Sequence, residues 1–444
     1  MAKDFLQDSR FLKNLLYCEA YDMVYLYKDG YYEEMPKVRL ERTVLEFMSD
    51  NYPDRNITMH MVRDVIDQIK LGIYRRQVKE IDTPYIAFKD KLYNMDTFTF
   101  EDFDREKIAL HHLDMATTEL SDNHPLWDKF LGEVLVNSVG KADTELLTLV
   151  QHMFGFYMLN HLKCHQVFFL VGQGANGKSV MLNILVKLIG EKFISAMSIQ
   201  TLTTEHFATS DLVGKKVNLC NEEESKFMRS DKFKALISGD LISAERKFGS
   251  KFTFRPTTKY IFASNRLPTF DGVNYGIKRR MTIIPFNRVF SEHEQDKELI
   301  GKLANELPGI MKWTIDGARK LTENKLVFPF AKLTRQSGID FENETSSALM
   351  FFRDNYCVSK TKEIFIDNMT LYREYTTWCQ DNGKKPLSSQ NFHSDIMHNI
   401  EGLEAGIKFL PYLGKVVRGK YISKLEEYEE VDKEKELDEI MKEI

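Results

Sequence analysis

The sequence predicts a multidomain α/β protein. Its 444 residues exceed one ordinary hydrophobic core, which indicates roughly two to four domains. Apolar strand patterns alternate with amphipathic helix patterns between about residues 167 and 290, as is typical of a mainly parallel sheet. The regions on either side of this stretch carry their own mixtures of helix and strand patterns, so we expect a central α/β domain with further domains flanking it.

The composition excludes several classes of protein. Hydrophobic residues make up 43% and charged residues 29%, which is ordinary for a globular domain, and the net charge of −5 requires any nucleic-acid contact to be a local basic patch. The five cysteines form no CxxC pair, so neither a zinc site nor a disulfide framework is predicted. No signal peptide and no bilayer-length apolar run is visible, so we expect a cytoplasmic protein without a membrane partner.

The flanking patterns define the domain division. Strand alternation around Asp29-Gly30 predicts a β-hairpin in the first part, and Thr58 is a candidate cap for a helix that follows. We predict no catalytic constellation in this first part. The predicted parts are an N-terminal α+β domain, a central P-loop domain, a C-terminal domain and an acidic charged tail, at residues 1–145, 146–340, 348–424 and 425–444.

A phosphate-binding loop is predicted where the central α/β pattern begins. Residues 172–179, GQGANGKS, match G-x-x-x-x-G-K-[ST] between an apolar strand and an apolar helix. The backbone N–H groups of such a loop surround phosphate oxygens, Lys178 faces the β- and γ-phosphates, and the Ser179 hydroxyl ligates Mg²⁺. The predicted contacts to the nucleotide are Gly172, Gly174, Ala175, Asn176, Gly177, Lys178, Ser179 and Val180. The loop alone does not separate kinase, GTPase, transporter and motor.

Three acidic residues follow the next apolar strand. An enzyme that hydrolyses a nucleotide needs one carboxylate near Mg²⁺ and another to orient the attacking water. We favour Glu222 for the metal, beside Ser179, and leave the water to Glu223 or Glu224. An exposed acidic loop is the alternative interpretation.

Two later strands add an amide and a pair of arginines. Asn265 ends an apolar strand, where its amide could contact both the γ-phosphate and the attacking water. Arg279 and Arg280 precede another strand, and either one suits an arginine finger that acts on the nucleotide of a neighbouring subunit. Taken singly, a turn residue and a surface pair are the simpler interpretations, but the order of the motifs disfavours them.

This order of motifs resembles the superfamily 3 helicases of the AAA+ class, and most of all their phage/plasmid/poxvirus primase–helicase branch. The segment SGDLISAERKFGSKFTFRPTTKYIFASN, residues 238–265, resembles that branch as well, as does the stretch from YIAFKDKLYNMDTFTF to LVQHMFGFYML. Two departures stand out: the acidic site reads NEEE, and Lys278 takes a place where a tryptophan often stands.

The resemblance implies a homo-hexameric ring that binds ATP and Mg²⁺ between subunits, with Arg279 or Arg280 reaching across. It also implies a basic hairpin that holds single-stranded DNA in the central channel, with candidate residues Arg246, Lys247, Phe248 and Lys251. The implied function is a 3′ to 5′ DNA helicase that starts replication of a phage, plasmid or mobile element, with host replication proteins as further partners. We expect no primase domain, because the chain begins close to the helicase region.

The C-terminal part reads as helix, turn, helix and a basic β-hairpin, which resembles the winged-helix module of the same branch. Recognition-helix candidates are Gln390, Asn391 and His393, and phosphate-contacting candidates on the wing are Lys415, Arg418 and Lys420. Double-stranded DNA is the expected partner, with protein binding as the alternative for this module.

Two rival functions remain at this stage. An origin-binding initiator could use ATP only to switch assembly, with little strand separation. A nucleoside kinase would also need the phosphate loop, but the SN strand end, the arginine pair and the flanking domains disfavour it.

Overall fold

The computed structural model describes residues 1–19, 22–73, 77–78, 83–159, 164–223, 228–245, 251–266, 270–271, 277, 279–359, 364–384 and 386–424. The chain divides into two compact units, residues 1–335 and 336–444. The predicted acidic tail, residues 425–444, lies outside the described residues. Among the described helices, none is both long enough and apolar enough to cross a membrane.

The first 73 residues and a short strand near residue 77 form a core of their own. Asp29 (φ 48°) and Gly30 (φ 91°) make the turn of the predicted hairpin, in which Lys28 pairs with Tyr31. The Thr58 side chain accepts a hydrogen bond from the Met61 N–H, so the predicted cap is confirmed. The sheet has the order β3-β2-β1-β4. The elements are α1 Ala2–Gln7, β1 Leu15–Cys18, β2 Met23–Lys28, β3 Tyr31–Met35, α2 Lys37–Asn51, α3 Met59–Gly72 and β4 Gln77–Val78.

A second sheet, of order β7-β6-β5-β8, shares its core with the region that follows. Phe88 and Trp127 belong to the same buried cluster as Phe168 and Leu182. The core therefore runs continuously across residue 145, where the sequence suggested a domain boundary. The elements are β5 Tyr85–Ala87, β6 Leu92–Asn94, β7 Thr99–Glu101, β8 Ala109–His112, α4 Pro125–Val134 and α5 Thr144–Met158.

A five-stranded parallel sheet of order β10-β11-β15-β9-β17 forms the centre of the first unit. The four strands predicted here from apolar runs, β9, β11, β15 and β17, are confirmed. The elements of this part of the chain are β9 Val167–Val171, α6 Lys178–Ile189, β10 Ile194–Ser195, α7 Ile199–Thr204, β11 Val217–Cys220, β12 Met228–Arg229, α8 Ser230–Ser238, β13 Ile242–Glu245, β14 Lys251–Phe254, β15 Lys259–Ser264, β16 Phe270–Asp271, β17 Met281–Pro285, α9 Leu299–Ala304 and α10 Leu307–Glu323.

Helices α5 and α10 cross with their backbones in contact. A Cβ added at Gly155 would lie 2.1 Å from the Ala318 nitrogen, so only glycine allows this approach. The crossing joins the helix before the parallel sheet to the helix that closes the first unit.

The second unit packs its helices around the aromatic residues Phe351, Tyr375 and Phe392. The Ser388 side chain accepts a hydrogen bond from the Asn391 N–H and thus caps a helix. A β20–β21 hairpin follows this helix, as predicted. The sheets are β19-β21-β20 and β18-β22. Helix α11, Lys332–Thr345, begins at the end of the first unit and continues into the second. The elements that follow it are α12 Ser347–Asn355, β18 Tyr356–Val358, β19 Ile366–Asp367, α13 Asn368–Asp381, α14 Ser389–Asn399, β20 Ala405–Leu410, β21 Lys415–Lys420 and β22 Ile422–Lys424.

Candidate functional site

Three strands of the parallel sheet end in register at the same edge. Val171 of β9 pairs with Ser264 of β15 on one side and with Pro285 of β17 on the other. Beyond the strands, the Gly172 N–H donates to the Ser264 carbonyl at 3.2 Å, and the Phe286 N–H donates to the Val171 carbonyl at 2.7 Å. The segments that follow these strands therefore leave the sheet side by side, where open α/β sheets bind their ligands.

The loop after β9 has the backbone of a phosphate cradle. Gly177 has φ +90° and immediately precedes α6; a Cβ there would lie 2.6 Å from Val134 Cγ1, so both its conformation and its surroundings require glycine. The N–H groups of the first turn of α6, with the positive end of its dipole, favour an anion at this position. At Gly174 an added Cβ would meet no atom within 4 Å, so this part of the loop is open.

Lys178 lies with its amine inside the loop. Its Nζ donates to the Gly172 carbonyl and to Asn176 Oδ1, the latter at 3.2 Å. Burial lowers the pKa of Lys178 below its usual range. The side chain of Asn176 is itself buried, so the ammonium group is positioned by the loop that it would serve.

A cleft of about 1080 Å³ opens above this edge of the sheet. It is lined by the loop residues Gly174 to Val180, by Glu222 and Glu223 after β11, and by Asn265 after β15. Its volume and its mixture of apolar walls and converging polar groups suit a nucleotide-sized ligand. The structure thus brings together the phosphate loop, two of the predicted carboxylates and the predicted amide.

Adjacent carboxylates have different surroundings at the end of β11. Glu222 is exposed at the cleft. Glu223 is 2% exposed, its carboxylate accepts the Ile199 N–H at the start of α7 at 2.8 Å, and its own N–H donates to the Ala263 carbonyl. Glu224 lies outside the described residues. One acid can therefore reach a metal ion freely, whereas the other is held in place by the protein.

Ser264 links the acidic segment to the strand that carries Asn265. Its buried hydroxyl donates to the Glu223 backbone carbonyl at 2.9 Å, while Asn265 itself is exposed at the cleft. The sequence indicated Ser264 only as the end of a strand, because a serine at that place has no feature that identifies a positioning role.

The arginine pair lies at the opposite edge of the sheet. The Val167 N–H donates to the Arg280 carbonyl at 2.8 Å, and Met281 pairs with Val167 where both strands begin. Five residues of β9 separate this edge from the phosphate loop, about 16 Å of strand. Arg279 is exposed, Arg280 is 8% exposed, and neither lines the cleft.

Helix α4 forms a wall of the cleft that the sequence did not predict. Lys129, Phe130 and Glu133 line the cleft, although this helix comes about 40 residues before the phosphate loop. The Glu306 carboxylate fixes its first turn by accepting the N–H groups of Leu126 and Trp127 at 3.0 and 2.9 Å. The sequence showed only an amphipathic helix, a pattern that does not reveal what its polar face meets.

Two further arginines, Arg266 and Arg288, also line the cleft. The Phe290 N–H donates to the Ala175 carbonyl at 2.8 Å, which ties the segment after β17 to the phosphate loop. Arg288 lies over the Phe290 ring at 4.4 Å and contacts Glu294 at 3.3 Å. Arg266 directly follows Asn265, a position that could have drawn attention to it, whereas no motif marks Arg288.

Most of the predicted channel hairpin lies beyond the described ranges. Arg246, Lys247 and Phe248 are outside the described residues. Lys251 begins β14 with an exposed side chain, and its Nζ is 3.8 Å from Glu245, the last residue of β13. Strands β13 and β14 pair antiparallel, with Glu245 opposite Lys251.

The predicted DNA contacts of the second unit fall into two groups. Gln390 and Asn391 at the start of α14, and Lys415 and Arg418 on β21, are exposed. Lys420 differs from the prediction of an exposed wing cation: it is 2% exposed, and its Nζ donates to Asn368 Oδ1 at 3.3 Å.

His393 is likewise turned toward the protein. Its Nε2 lies 3.1 Å from the Asn368 carbonyl. Burial, reinforced by the charge of Lys420, lowers the pKa of His393 to about 4. Since β19 and α13 cover this end of the hairpin, Lys420 and His393 contact other residues of the second unit rather than solvent.

Three family models match separate parts of the chain. The D5 N terminal like model matches residues 8–136, a family of unknown function, DUF5906, matches residues 170–280, and the Poxvirus D5 protein-like model matches residues 344–438. The middle match covers the phosphate loop, the acidic strand end and the arginine pair.

A curated relative carries a helicase name. It is "Putative helicase L207/L206" of Acanthamoeba polyphaga mimivirus, 27% identical over 259 residues, which cover 52% of this chain and 26% of the relative. The matched region thus spans about a quarter of that protein's length.

Solved structures of the NrS-1 C-terminal region in its apo form are also similar to this chain. One has a TM-score of 0.49 at 15% identity and another 0.48 at 14%, each covering 95% of this chain and 98% of the other. At this level of similarity neither fold nor function follows from them. This chain is thus similar to D5 proteins at both of its ends and to a relative that carries a helicase name.

Proposed function

We propose that this protein is an ATP-dependent DNA helicase of the superfamily 3 AAA+ type, which works as a homo-hexameric ring in the 3′ to 5′ direction. Its task would be to start replication of a phage, plasmid or mobile element. One observation carries the proposal: the phosphate loop, the acidic strand end and Asn265 share one cleft, while the arginine pair lies at the far edge of the same sheet.

The cleft residues fit ATP and Mg²⁺. The N–H groups from Gly174 to Ser179 would hold the phosphates, with Lys178 neutralising their charge. Ser179 and exposed Glu222 are oxygen ligands of the kind Mg²⁺ prefers, and the bound ion would neutralise charge on the phosphates. Glu223 or Glu224 would orient the attacking water, and Asn265 would contact that water and the γ-phosphate.

The ring would complete each site with a neighbouring subunit. Arg279 and Arg280 are separated from the cleft of their own chain by the full length of β9, so an arginine finger at this position would have to act in trans. Such a finger would couple hydrolysis to assembly, because an isolated chain would bind ATP without stabilising the transition state.

Two surfaces would contact DNA. The β13–β14 hairpin, with Arg246, Lys247, Phe248 and Lys251, would track the phosphates of a single strand and stack on its bases. The C-terminal unit would act as a winged helix on duplex DNA through Gln390 and Asn391, with Lys415 and Arg418 on phosphates. The helicase name of the mimivirus relative and the D5 matches support a replication role.

Strand displacement tests the proposal. We expect the protein with ATP and Mg²⁺ to unwind a forked DNA that has only a 3′ tail and to leave one with only a 5′ tail intact. The Lys178→Ala variant should unwind neither. Intact ATP hydrolysis without displacement of either strand would refute the helicase function and favour an initiator in which ATP only switches assembly.

A further inference from the structure

The β20–β21 hairpin of the second unit presents an exposed apolar face. Ile407, Phe409 and Val416 are 64%, 56% and 62% exposed. Phe409 pairs directly with Val416, and Ile407 pairs with Arg418, so these four side chains lie on the same face of the hairpin. Large apolar side chains grouped on one exposed surface mark an interaction site rather than ordinary surface.

The same hairpin is strongly basic. Residues 405–420 contain four Lys and Arg residues and no Asp or Glu, although Lys420 is buried, and Lys424 follows in β22. Arg418, on the same face as the apolar residues, is exposed and forms no ion pair with any residue that the structure describes. Lys415 is also exposed, but it pairs with Leu410 and lies on the opposite face of the hairpin. The face therefore fits a partner that combines apolar side chains with carboxylates.

The sequence that follows directly has both properties. Residues 425–444 contain ten Asp and Glu residues and three lysines, a formal charge of −7, so the preceding 424 residues together carry +2. Within it, Leu437, Ile440, Met441 and Ile444 recur at the i, i+3, i+4, i+7 spacing of an amphipathic helix. A strongly basic segment and a strongly acidic segment thus stand next to each other in the chain.

We propose that residues 425–444 dock on this face of the hairpin of their own chain. The apolar stripe from Leu437 to Ile444 covers Ile407, Phe409 and Val416, and a neighbouring carboxylate pairs with Arg418. The chain between β22 and the apolar stripe is long enough for this docking. Strand β22 ends at Lys424, and the twelve residues from 425 to 436 can span up to about 40 Å, whereas each hairpin strand is about 20 Å long.

Docking has a consequence that rests on the proposed DNA-binding function. The tail would occupy Arg418, an exposed cation of the predicted wing, before DNA arrives. DNA phosphates would displace it, so the tail would suppress non-specific binding and yield to a longer, more highly charged partner. A neighbouring subunit's tail, DNA itself or another protein are the competing occupants of the face.

Photo-crosslinking in the full-length protein tests the docking without ATP or DNA. With p-benzoylphenylalanine in place of Tyr428, mass spectrometry should find crosslinks to residues 405–418 of the same chain. Phe409→Ser should reduce their yield about tenfold, because it removes the largest apolar contact. Val38→Ser, at a valine on α2 that is 69% exposed, should leave the yield unchanged.

A second variant leaves the hairpin untouched. Reversing three tail charges, E434K/E436K/D438K, should also reduce the crosslink yield, and so should 0.5 M salt, roughly a Debye length of 4 Å. Crosslinks that join different chains, that map elsewhere, or that persist in both variants would overturn the proposal. If the protein crosslinks as expected but does not unwind DNA, the docking proposal stands and only the proposed helicase function is refuted.

Discussion

The two edges of the parallel sheet carry motifs of the same predicted enzyme, yet they are built differently. At the carboxyl edge, the segments after β9, β11 and β15 converge because parallel strands in register deliver their ends to one place. At the amino edge, Arg279 and Arg280 lie a strand length away from the cleft. One chain thus assembles a cleft whose residues fit a nucleotide, whereas in the proposed ring its arginine pair would act on the cleft of another chain.

The order of the motifs along the chain therefore does not indicate how close each motif lies to the cleft. Asn265 and Arg279 are only 14 residues apart, but one lies at the cleft and the other at the far edge. The reason is geometric: β15 and β17 are parallel, so β15 ends at one edge of the sheet and β17 begins at the other.

The largest expected effect concerns the amino edge. We expect either Arg279→Ala or Arg280→Ala, whichever removes the proposed arginine finger, to reduce ATP turnover about 10³-fold or more without loss of nucleotide affinity. Steady-state phosphate release and equilibrium binding of a labelled nucleotide would measure the two quantities. The exposed Arg39 on α2, changed to alanine, is the matched control.

Mixing variants sharpens this comparison. A finger variant retains an intact cleft, and Lys178→Ala retains intact arginines, so mixed rings of the two should recover turnover that neither variant has alone. Absence of recovery in rings verified by native mass spectrometry would contradict action in trans.

The next largest effect concerns the carboxyl edge. Lys178→Ala removes the ammonium group from the phosphate loop and should reduce turnover about 10²–10³-fold, since the transition state loses a preorganised positive charge. Lys187→Ala, at an exposed position in the last turn of the same helix, should leave turnover intact. Equal losses in both variants would indicate damage to α6 rather than to catalysis.

We expect substitutions of Glu222 and Glu223 to change the Mg²⁺ dependence of ATP turnover in different ways. Because Glu222 is exposed and Glu223 is held by the Ile199 N–H, Glu222→Gln should raise the Mg²⁺ concentration needed for half-maximal turnover about tenfold. Glu223→Gln should instead lower turnover at saturating Mg²⁺. A magnesium titration of phosphate release distinguishes them, and the reverse pattern would exchange the two roles.

The smallest expected effect concerns α4, the helix that forms one wall of the cleft and comes before the parallel sheet in the chain. Glu306→Ala removes the acceptor for two N–H groups of α4 and should cost about 1–2 kcal/mol of the free energy of unfolding. Glu298→Ala, at a side chain that is 82% exposed, is the control and should change stability by less than about 0.5 kcal/mol. Denaturant unfolding measures both, and equal stabilities would show that the contact does not hold α4.

Much of the local structure was predictable because its causes are local. Asp29 and Gly30 adopt the positive φ values that a tight hairpin turn needs, and Thr58 and Ser388 accept N–H groups from their own helices. The apolar runs of the parallel sheet were equally clear. The phosphate loop was predictable for the same reason, since its function depends on eight consecutive residues.

The burial of single polar residues was harder to predict from the sequence. Lys420 belongs to a run that reads as a basic hairpin, but β19 and α13 cover it, so it contacts Asn368 instead of solvent. His393 is turned toward the same residue. Alternation along a strand tells which residues share a face, yet only the neighbouring elements determine which face is covered.

The sequence by itself determined the strands, the capped helices, the hairpin turns and the phosphate loop, because each depends on the conformational preferences of residues within a few positions. The tertiary structure alone decided that α4 forms a wall of the cleft, that Glu306 fixes it from about 180 residues away, and that Glu222 and Glu223 have unlike surroundings. These features depend on contacts between distant segments, which no local pattern encodes.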